Sequence, residues 1–219
     1  MNLEQARYNM VEQQIRPWDV LDQTILDAFQ FLPREKFVPT NWSNLAFADI
    51  EIPLGKGDFM MHPRVEARML QALDTHSSDS CLEIGTGTGF ITACLAHLGE
   101  HVDSVDIRRD FSVLAEQQLH ACNITNFNLY NDDASAGWQG LPDKQYDVIA
   151  VTASIPTYHT EFEQRLTPGG RLFIVVGQAP AMQAMLITRE DEDNFRHEVI
   201  FETYLTPMIG TELSPGFEF

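Results

Sequence analysis

The feature that most constrains this chain is Leu82-Glu-Ile-Gly-Thr-Gly-Thr-Gly-Phe90. It joins a short apolar strand, Cys81 to Ile84, to a helical stripe of Ile91, Cys94, Leu95 and Leu98 that stops at Gly99. Alternate glycines permit a tight turn and leave the backbone open to close approach. A strand feeding a helix in this way is the opening unit of an open α/β sheet, whose ligand crevice lies at the carboxyl ends of the strands.

The rest of the chain repeats the alternation. His101 to Ile107, Phe127 to Tyr130, Tyr146 to Thr152 and Arg171 to Val176 read as strands, and Phe111, Leu114, Ala115 and Leu119 as a helix stripe between two of them. The run from Tyr146 to Thr152 is nearly all apolar, as a strand buried on both faces should be. Phe162 and Leu166 predict a short helix before a Gly169-Gly170 turn. Met185 to Thr188 and His197 to Leu205, separated by an acidic turn at 190–194, predict a hairpin. The expected fold is α/β: a Rossmann-like, doubly wound, mostly parallel sheet with an antiparallel C-terminal edge and an N-terminal helical extension.

Two regions of one compact unit are expected, 1–79 and 80–219. Residues 1–38 are helical in pattern. Asp19 is placed to cap a helix carrying Leu21, Ile25, Ala28, Phe29 and Leu32 on one face. Residues 39–62, rich in turn formers, predict a long loop or a short strand pair. Pro63 then opens a helix with Val65, Met69, Ala72 and Leu73 as its stripe.

Composition excludes several classes. The 219 residues are 44% apolar, enough for a sizeable core. No apolar run reaches the ~18 residues needed to span a bilayer, and no basic-then-apolar leader opens the chain. Cys81, Cys94 and Cys122 lack metal or disulfide spacing, so reduced thiols, a cytoplasmic location and no metal site are expected. With Lys+Arg 14 against Asp+Glu 32 and a net charge of −18, nucleic acid is an unfavourable partner.

The glycine loop narrows the ligand. A dinucleotide loop reads G-x-G-x-x-G and faces a pyrophosphate. Here the spacing is G-x-G-x-G (Gly85, Gly87, Gly89), with Glu83 just before it. A carboxylate there disfavours a pyrophosphate and suits a cation. Asp106 ends the second strand, where a carboxylate can accept hydrogen bonds from a ribose diol. Together these point to S-adenosylmethionine, a nucleoside with an ammonium and a sulfonium and no phosphate. The alternative, a glycine turn that merely joins strand to helix, leaves Asp106 without a purpose.

These residues resemble the first two motifs of class I S-adenosylmethionine-dependent methyltransferases. Further blocks are similar to the protein-L-isoaspartate O-methyltransferase family: Gly55-Lys-Gly57 with His62-Pro63 and Ala67-Arg-Met69; Asp132-Asp-Ala-Ser-Ala-Gly-Trp138; Tyr146 to Ala153 with Pro156; and Leu166 to Leu172 with Val176-Gly177. The resemblance spans roughly residues 4–210. It implies a protein carboxyl methyltransferase acting on a protein or peptide carboxylate, the isoaspartyl residue of damaged proteins. It implies cofactor contacts from Glu83, Gly85, Thr86, Gly87, Gly89, Asp106, Ile107, Asp132, Asp133 and Thr152. A carboxylate is already ionised at neutral pH, so the reaction needs positioning more than a general base.

The resemblance fails at one loop. The family's Thr-Ile-Ser stretch is here Phe59-Met60-Met61, followed by His62 and Pro63. Two hydroxyls that would hold the substrate carboxylate are replaced by apolar groups. Met61 and His62 are therefore the candidate catalytic positions, His62 as a replacement donor, although a lone histidine ahead of a helix is more often a cap or surface group. Asp133 stands where the family has glycine. Two alternatives follow: a same-fold methyltransferase with another substrate, or a weak, cofactor-binding regulatory protein. Oligomeric state stays open.

Overall fold

The computed structural model describes residues 2–211; residue 1 and residues 212–219, the outer ends of the two expected regions, lie outside it. The N-terminal part forms α1 (Leu3–Met10), a π-helical turn (Val11–Ile15), a 3-10 turn (Arg16–Trp18), α2 (Gln23–Phe31) and α3 (Arg34–Phe37). Asp22, not Asp19, caps α2, accepting from the Thr24 N–H at 2.7 Å. Asp19 is left-handed instead, and its carbonyl accepts from Arg68 and Gln71, each at 2.8 Å. With the helix starting later, Leu21 falls off the stripe and is exposed, while Ile25, Ala28, Phe29 and Leu32 are buried.

Of the two readings for 39–62, the strand pair holds. After a 3-10 turn (Thr40–Leu45), β1 (Ile52–Gly55) and β2 (Asp58–Met60) form an antiparallel hairpin. Its tip has three consecutive positive φ angles, 93° at Gly55, 58° at Lys56 and 88° at Gly57; the two glycines adopt them at no steric cost, and Lys56 takes the left-handed helical region between them. α4 (Pro63–Leu73) follows, with proline at its first position.

The sheet is built from β3 (Ser80–Ile84), β4 (His101–Asp106), β5 (Phe127–Asn131), β6 (Tyr146–Ile155), β7 (Leu166–Gln178), β8 (Ala181–Arg189) and β9 (Phe195–Thr203), with α5 (Phe90–Leu98) and α6 (Arg109–Ala121) as crossovers. Its seven strands run in the order β5-β4-β3-β6-β7-β8-β9. The first five are parallel, and β8 and β9 add the antiparallel edge. Gly169 and Gly170 lie inside β7 rather than ahead of it, and the helix expected at 162–166 is a single 3-10 turn, Glu163–Arg165.

Alternation along the strands divides the core. Cys81, Val148, Ala150, Phe173 and Val175 face the helices. Leu82, Ile84, Ile149, Val151, Leu172 and Ile174 face the opposite side, where Trp138 and Phe162 cover them. That second cover comes from irregular segments of the β5–β6 and β6–β7 connections. Strand order reverses between β3 and β6, so the crevice opens beyond their carboxyl ends.

Candidate functional site

The cleft at this reversal spans about 830 Å³, the solvent at its open mouth included. The glycine loop and the carboxyl ends of β3, β4 and β6 form its floor, through Ile84, Gly85, Gly87, Asp106 and Thr152. Ile107, Phe111, Asp132 and Asp133 form one wall; Leu54, Phe59 and Met61 from the hairpin region form the other. A smaller adjoining cavity of about 340 Å³ is bounded by Met60, Met61, Glu66, Glu83, Thr86, Thr88 and Phe90. Gly85, Gly87, Thr152, Leu54, Phe59 and Met61 are common to both.

The loop is backbone-tight. Gly85 has a φ of 99°, and a Cβ on it would lie 2.3 Å from Thr152 Oγ1. That hydroxyl faces the carbonyls of Gly85 and Ile84 at 2.7 and 3.0 Å, holding the end of β3 against β6. Gly89 has a φ of 89°, and a Cβ there would press on Ala115 of α6 at 2.9 Å. The glycines therefore serve turn, packing and access together.

Asp106 is nearly buried, and both its oxygens are engaged by backbone: Oδ2 accepts from Gly87 N–H at 2.9 Å and Oδ1 from Arg108 N–H at 2.8 Å. Burial pushes its carboxyl up from the ordinary value, and nearby Asp58 adds to this, while the two N–H bonds oppose it. The result is an oriented acceptor at the cleft floor.

Glu83 is fully buried on the helical side of β3. Its Oε2 accepts from Ser104 Oγ at 2.6 Å and from Thr92 Oγ1, and Ser104 Oγ also meets Thr86 Oγ1 at 2.6 Å. Its Oε1 has no hydrogen-bond partner among the described residues. Burial pushes the carboxyl up to about 8, against the lowering effect of the Ser104 and Thr92 bonds. The native state thus keeps a proton that the unfolded chain releases near 4.5, so stability contributed by this group falls as pH rises from about 4.5 to about 8. Glu83→Gln should flatten that slope, by a difference on the order of a few kcal/mol in denaturant melts of the unliganded protein between pH 5 and 8. Equal slopes in the two proteins would remove Glu83 as the source.

Asp132 Oδ2 accepts from Trp138 Nε1 at 3.1 Å, so buried Trp138 both packs and orients this carboxylate. Asp133 Oδ1 accepts from Ser135 N–H at 2.8 Å, and Asp133 is not in the left-handed region, so this position does not demand glycine.

Met61 is nearly buried and lines both cavities; Phe59 is half exposed and lines both as well. His62 lines neither. Its Nδ1 lies 3.6 Å from Asp49 Oδ1, and its side chain caps no helix N–H. The geometry therefore brings together the expected positions except His62 and Gly89, which line neither cavity; Gly89 sits back against α6.

Several lining residues carry no signal in the sequence. Arg34 and Glu66 form a buried ion pair, Nε to Oε2 at 3.1 Å and Nη2 to Oε1 at 3.1 Å. Arg34 also donates to the carbonyls of Ala46 at 2.8 Å and Met61 at 2.9 Å. It thereby fixes the backbone of the residue that faces both cavities. The segment after β9 returns to the cleft, with Leu205 to Ile209 lining it; Ser154 N–H donates to Thr206 O at 3.0 Å and Met208 N–H to Ser154 O at 2.8 Å. Cys81 and Cys94 are buried and their thiols are pushed up by burial, Cys81 to about 12, which fits core packing. Among the described residues no helix is long and apolar enough to cross a membrane.

Comparison with known proteins points in one direction. Residues 5–213 match the sequence model of the family described as Protein-L-isoaspartate(D-aspartate) O-methyltransferase (PCMT). Protein-L-isoaspartate O-methyltransferase 2 of Pelobacter propionicus is 32% identical over 212 residues, 96% of this chain and 93% of that protein. The Aliivibrio salmonicida protein-L-isoaspartate O-methyltransferase is 34% identical over 210 residues, 95% of this chain and 99% of its own length. Among solved structures, one named protein-L-isoaspartate O-methyltransferase superposes with a TM-score of 0.77 at 22% identity, covering 94% of this chain and 66% of that longer one. A Plasmodium falciparum structure, described as such an enzyme in complex with S-adenosyl-L-homocysteine, gives 0.78 at 15% identity, covering 95% and 98%. These last two show the shared fold.

Proposed function

Because the chain belongs to the protein-L-isoaspartate(D-aspartate) O-methyltransferase family, we propose that it methylates the carboxylate of isoaspartyl residues in proteins, using S-adenosylmethionine bound in the cleft at the strand reversal. The observation that carries the cofactor assignment is Asp106. Its carboxylate is held by two backbone N–H groups beside a glycine loop in which Gly85 and Gly89 leave no room for a Cβ, and its remaining acceptor capacity suits a ribose diol.

The residues fit the group. Gly85, Thr86 and Gly87 give close backbone approach, Gly89 packs the loop onto α6, Ile107 lends apolar cover, Asp132 and Asp133 supply acceptors at the far wall, and Thr152 holds the loop. Glu83 has an unpartnered oxygen at the adjoining cavity, and an ammonium placed there would favour loss of the proton that burial keeps on this carboxyl in the unliganded protein. When bound, S-adenosylmethionine supplies a methyl group on a sulfonium. The protein's task is then to hold an already ionised carboxylate in position and keep water out. Met61, Phe59 and Leu54 make the apolar side of that enclosure, where a charge is poorly solvated and its contacts count for more.

This predicts that S-adenosylmethionine and S-adenosylhomocysteine bind by calorimetry to ligand-free protein and that NAD does not. Asp106→Ala should weaken both by roughly 1–3 kcal/mol, about 5- to 150-fold, with the fold intact. Tight NAD binding, or unchanged affinity in the variant, would contradict the assignment.

A further inference from the structure

Resting on that cofactor reading, we propose that Arg108 is a positioning residue that couples occupancy of the cofactor cleft to the placement of the substrate hairpin. Asp106 ends β4 and Arg108 lies two residues on, in the turn that follows. The Arg108 N–H is already committed to Asp106 Oδ1, at 2.8 Å. Its side chain borders the cleft, as Asp58 does, and reaches the β1–β2 hairpin, where Nε pairs closely with Asp58 and Nη2 donates to the Lys56 carbonyl at 3.3 Å. Asp58 immediately precedes Phe59, which lines both cavities.

A second cross-link runs beside the first, from Lys56 Nζ to Asp110 Oδ2 at 2.7 Å. The two differ in surroundings. Lys56 and Asp110 are each 57% exposed, whereas Arg108 and Asp58 are 22% and 23% exposed. An exposed pair contributes little, because water and salt screen it and two long side chains must be held in place. The shielded Arg108–Asp58 pair is the one that can transmit a restraint. Ile52 and Met60 anchor the base of the hairpin in the core, but at its tip a Cβ added to Gly55 or Gly57 would meet nothing within 4 Å, so the tip is tied to the rest of the protein by these side-chain links. A ribose held on Asp106 would steady the turn that carries Arg108, and Arg108 would steady the hairpin. By linkage, a peptide seated against the hairpin would tighten the cofactor by the same factor.

The test is a cycle of Arg108→Gln, Asp58→Asn and the double variant. Each single change should raise the KM for an isoaspartyl peptide about tenfold, with a smaller effect on kcat and less than about threefold on S-adenosylhomocysteine affinity. The double variant should be no worse than either single one. Amide hydrogen exchange supplies a readout independent of turnover: S-adenosylhomocysteine should slow exchange across residues 52–61 in the wild type and not in Arg108→Gln. Additive effects in the cycle, or ligand-induced protection that survives in Arg108→Gln, would overturn the coupling. If the wild type transfers no methyl group yet shows the protection, the coupling stands and the acceptor assignment fails. If it binds no S-adenosylhomocysteine, the cofactor reading fails and the coupling falls with it.

Discussion

Arg34→Met should destabilise the protein by about 3–5 kcal/mol, the cost of leaving a buried charge without its partner. Arg34 and Glu66 are 0% and 1% exposed. Burial pushes the Glu66 carboxyl up from its ordinary value despite the neighbouring guanidinium, so desolvation outweighs the attraction within the pair. The pair is therefore poor value as a stabiliser, and an apolar replacement of both partners should recover most of the loss. The double variant Arg34→Met with Glu66→Leu separates stability from function. It should melt within ~1–2 kcal/mol of the wild type. It would still lack the donors that hold the Met61 and Ala46 carbonyls. Its cofactor affinity should stay near normal while its turnover on a peptide falls. Denaturant melts beside turnover measurements check both halves. A double variant as unstable as the single one, or as active as the wild type, would refute this account of Arg34.

The second large effect concerns Phe59 and Met61. Both line the cleft and the adjoining cavity, where the family's loop offers hydroxyls to a carboxylate. Restoring them by Phe59→Thr with Met61→Ser should improve binding of an isoaspartyl peptide. Each bond to the charged group contributes roughly 1.5–3 kcal/mol. How much reaches kcat depends on whether the bond strengthens in the transition state. The two positions differ in risk. Phe59 is half exposed and its replacement is structurally mild, whereas Met61 is nearly buried and its truncation should cost ~2–4 kcal/mol of stability. Phe59→Thr alone is thus the cleaner first step. A higher kcat/KM on the isoaspartyl peptide, with none on its aspartyl control, is the expected result. No gain in a folded double variant that binds cofactor would mean that other groups already hold the carboxylate.

Much of this was legible in the chain because the signals are local. Strands buried on both faces write themselves as apolar runs, as in Tyr146 to Thr152, and the glycine loop announces the strand-to-helix turn with Asp106 one strand over. The misplaced cap shows where local reading stops. Asp19 and Asp22 are equivalent as residue types, and the choice is made by Gln71, whose side-chain oxygen accepts from the N–H groups of Leu21 and Asp22 at 2.7 and 3.0 Å, far along the sequence. Arg34 and Glu66 were hidden for a related reason. Each reads as a polar residue on a surface helix, and only the tertiary fold brings them together in the core. Arg108 and Asp58 are likewise joined only when the hairpin folds over the turn after β4. The return of residues 205–209 to the cleft has no periodicity to betray it. His62 stands next to the altered loop in sequence, yet its ring faces Asp49 and lines neither cavity, a tertiary contact that adjacency in the chain does not reveal.

Every role assigned above depends on this cleft delivering a methyl group to an isoaspartyl carboxylate. That transfer is tested most directly by incubating the wild-type protein with methyl-labelled S-adenosylmethionine and an isoaspartyl peptide, beside the same peptide carrying ordinary aspartate. The account predicts base-labile label on the isoaspartyl peptide alone, slow because two hydroxyls are missing from the loop. Label on neither peptide, with cofactor binding intact, or equal label on both, would contradict it.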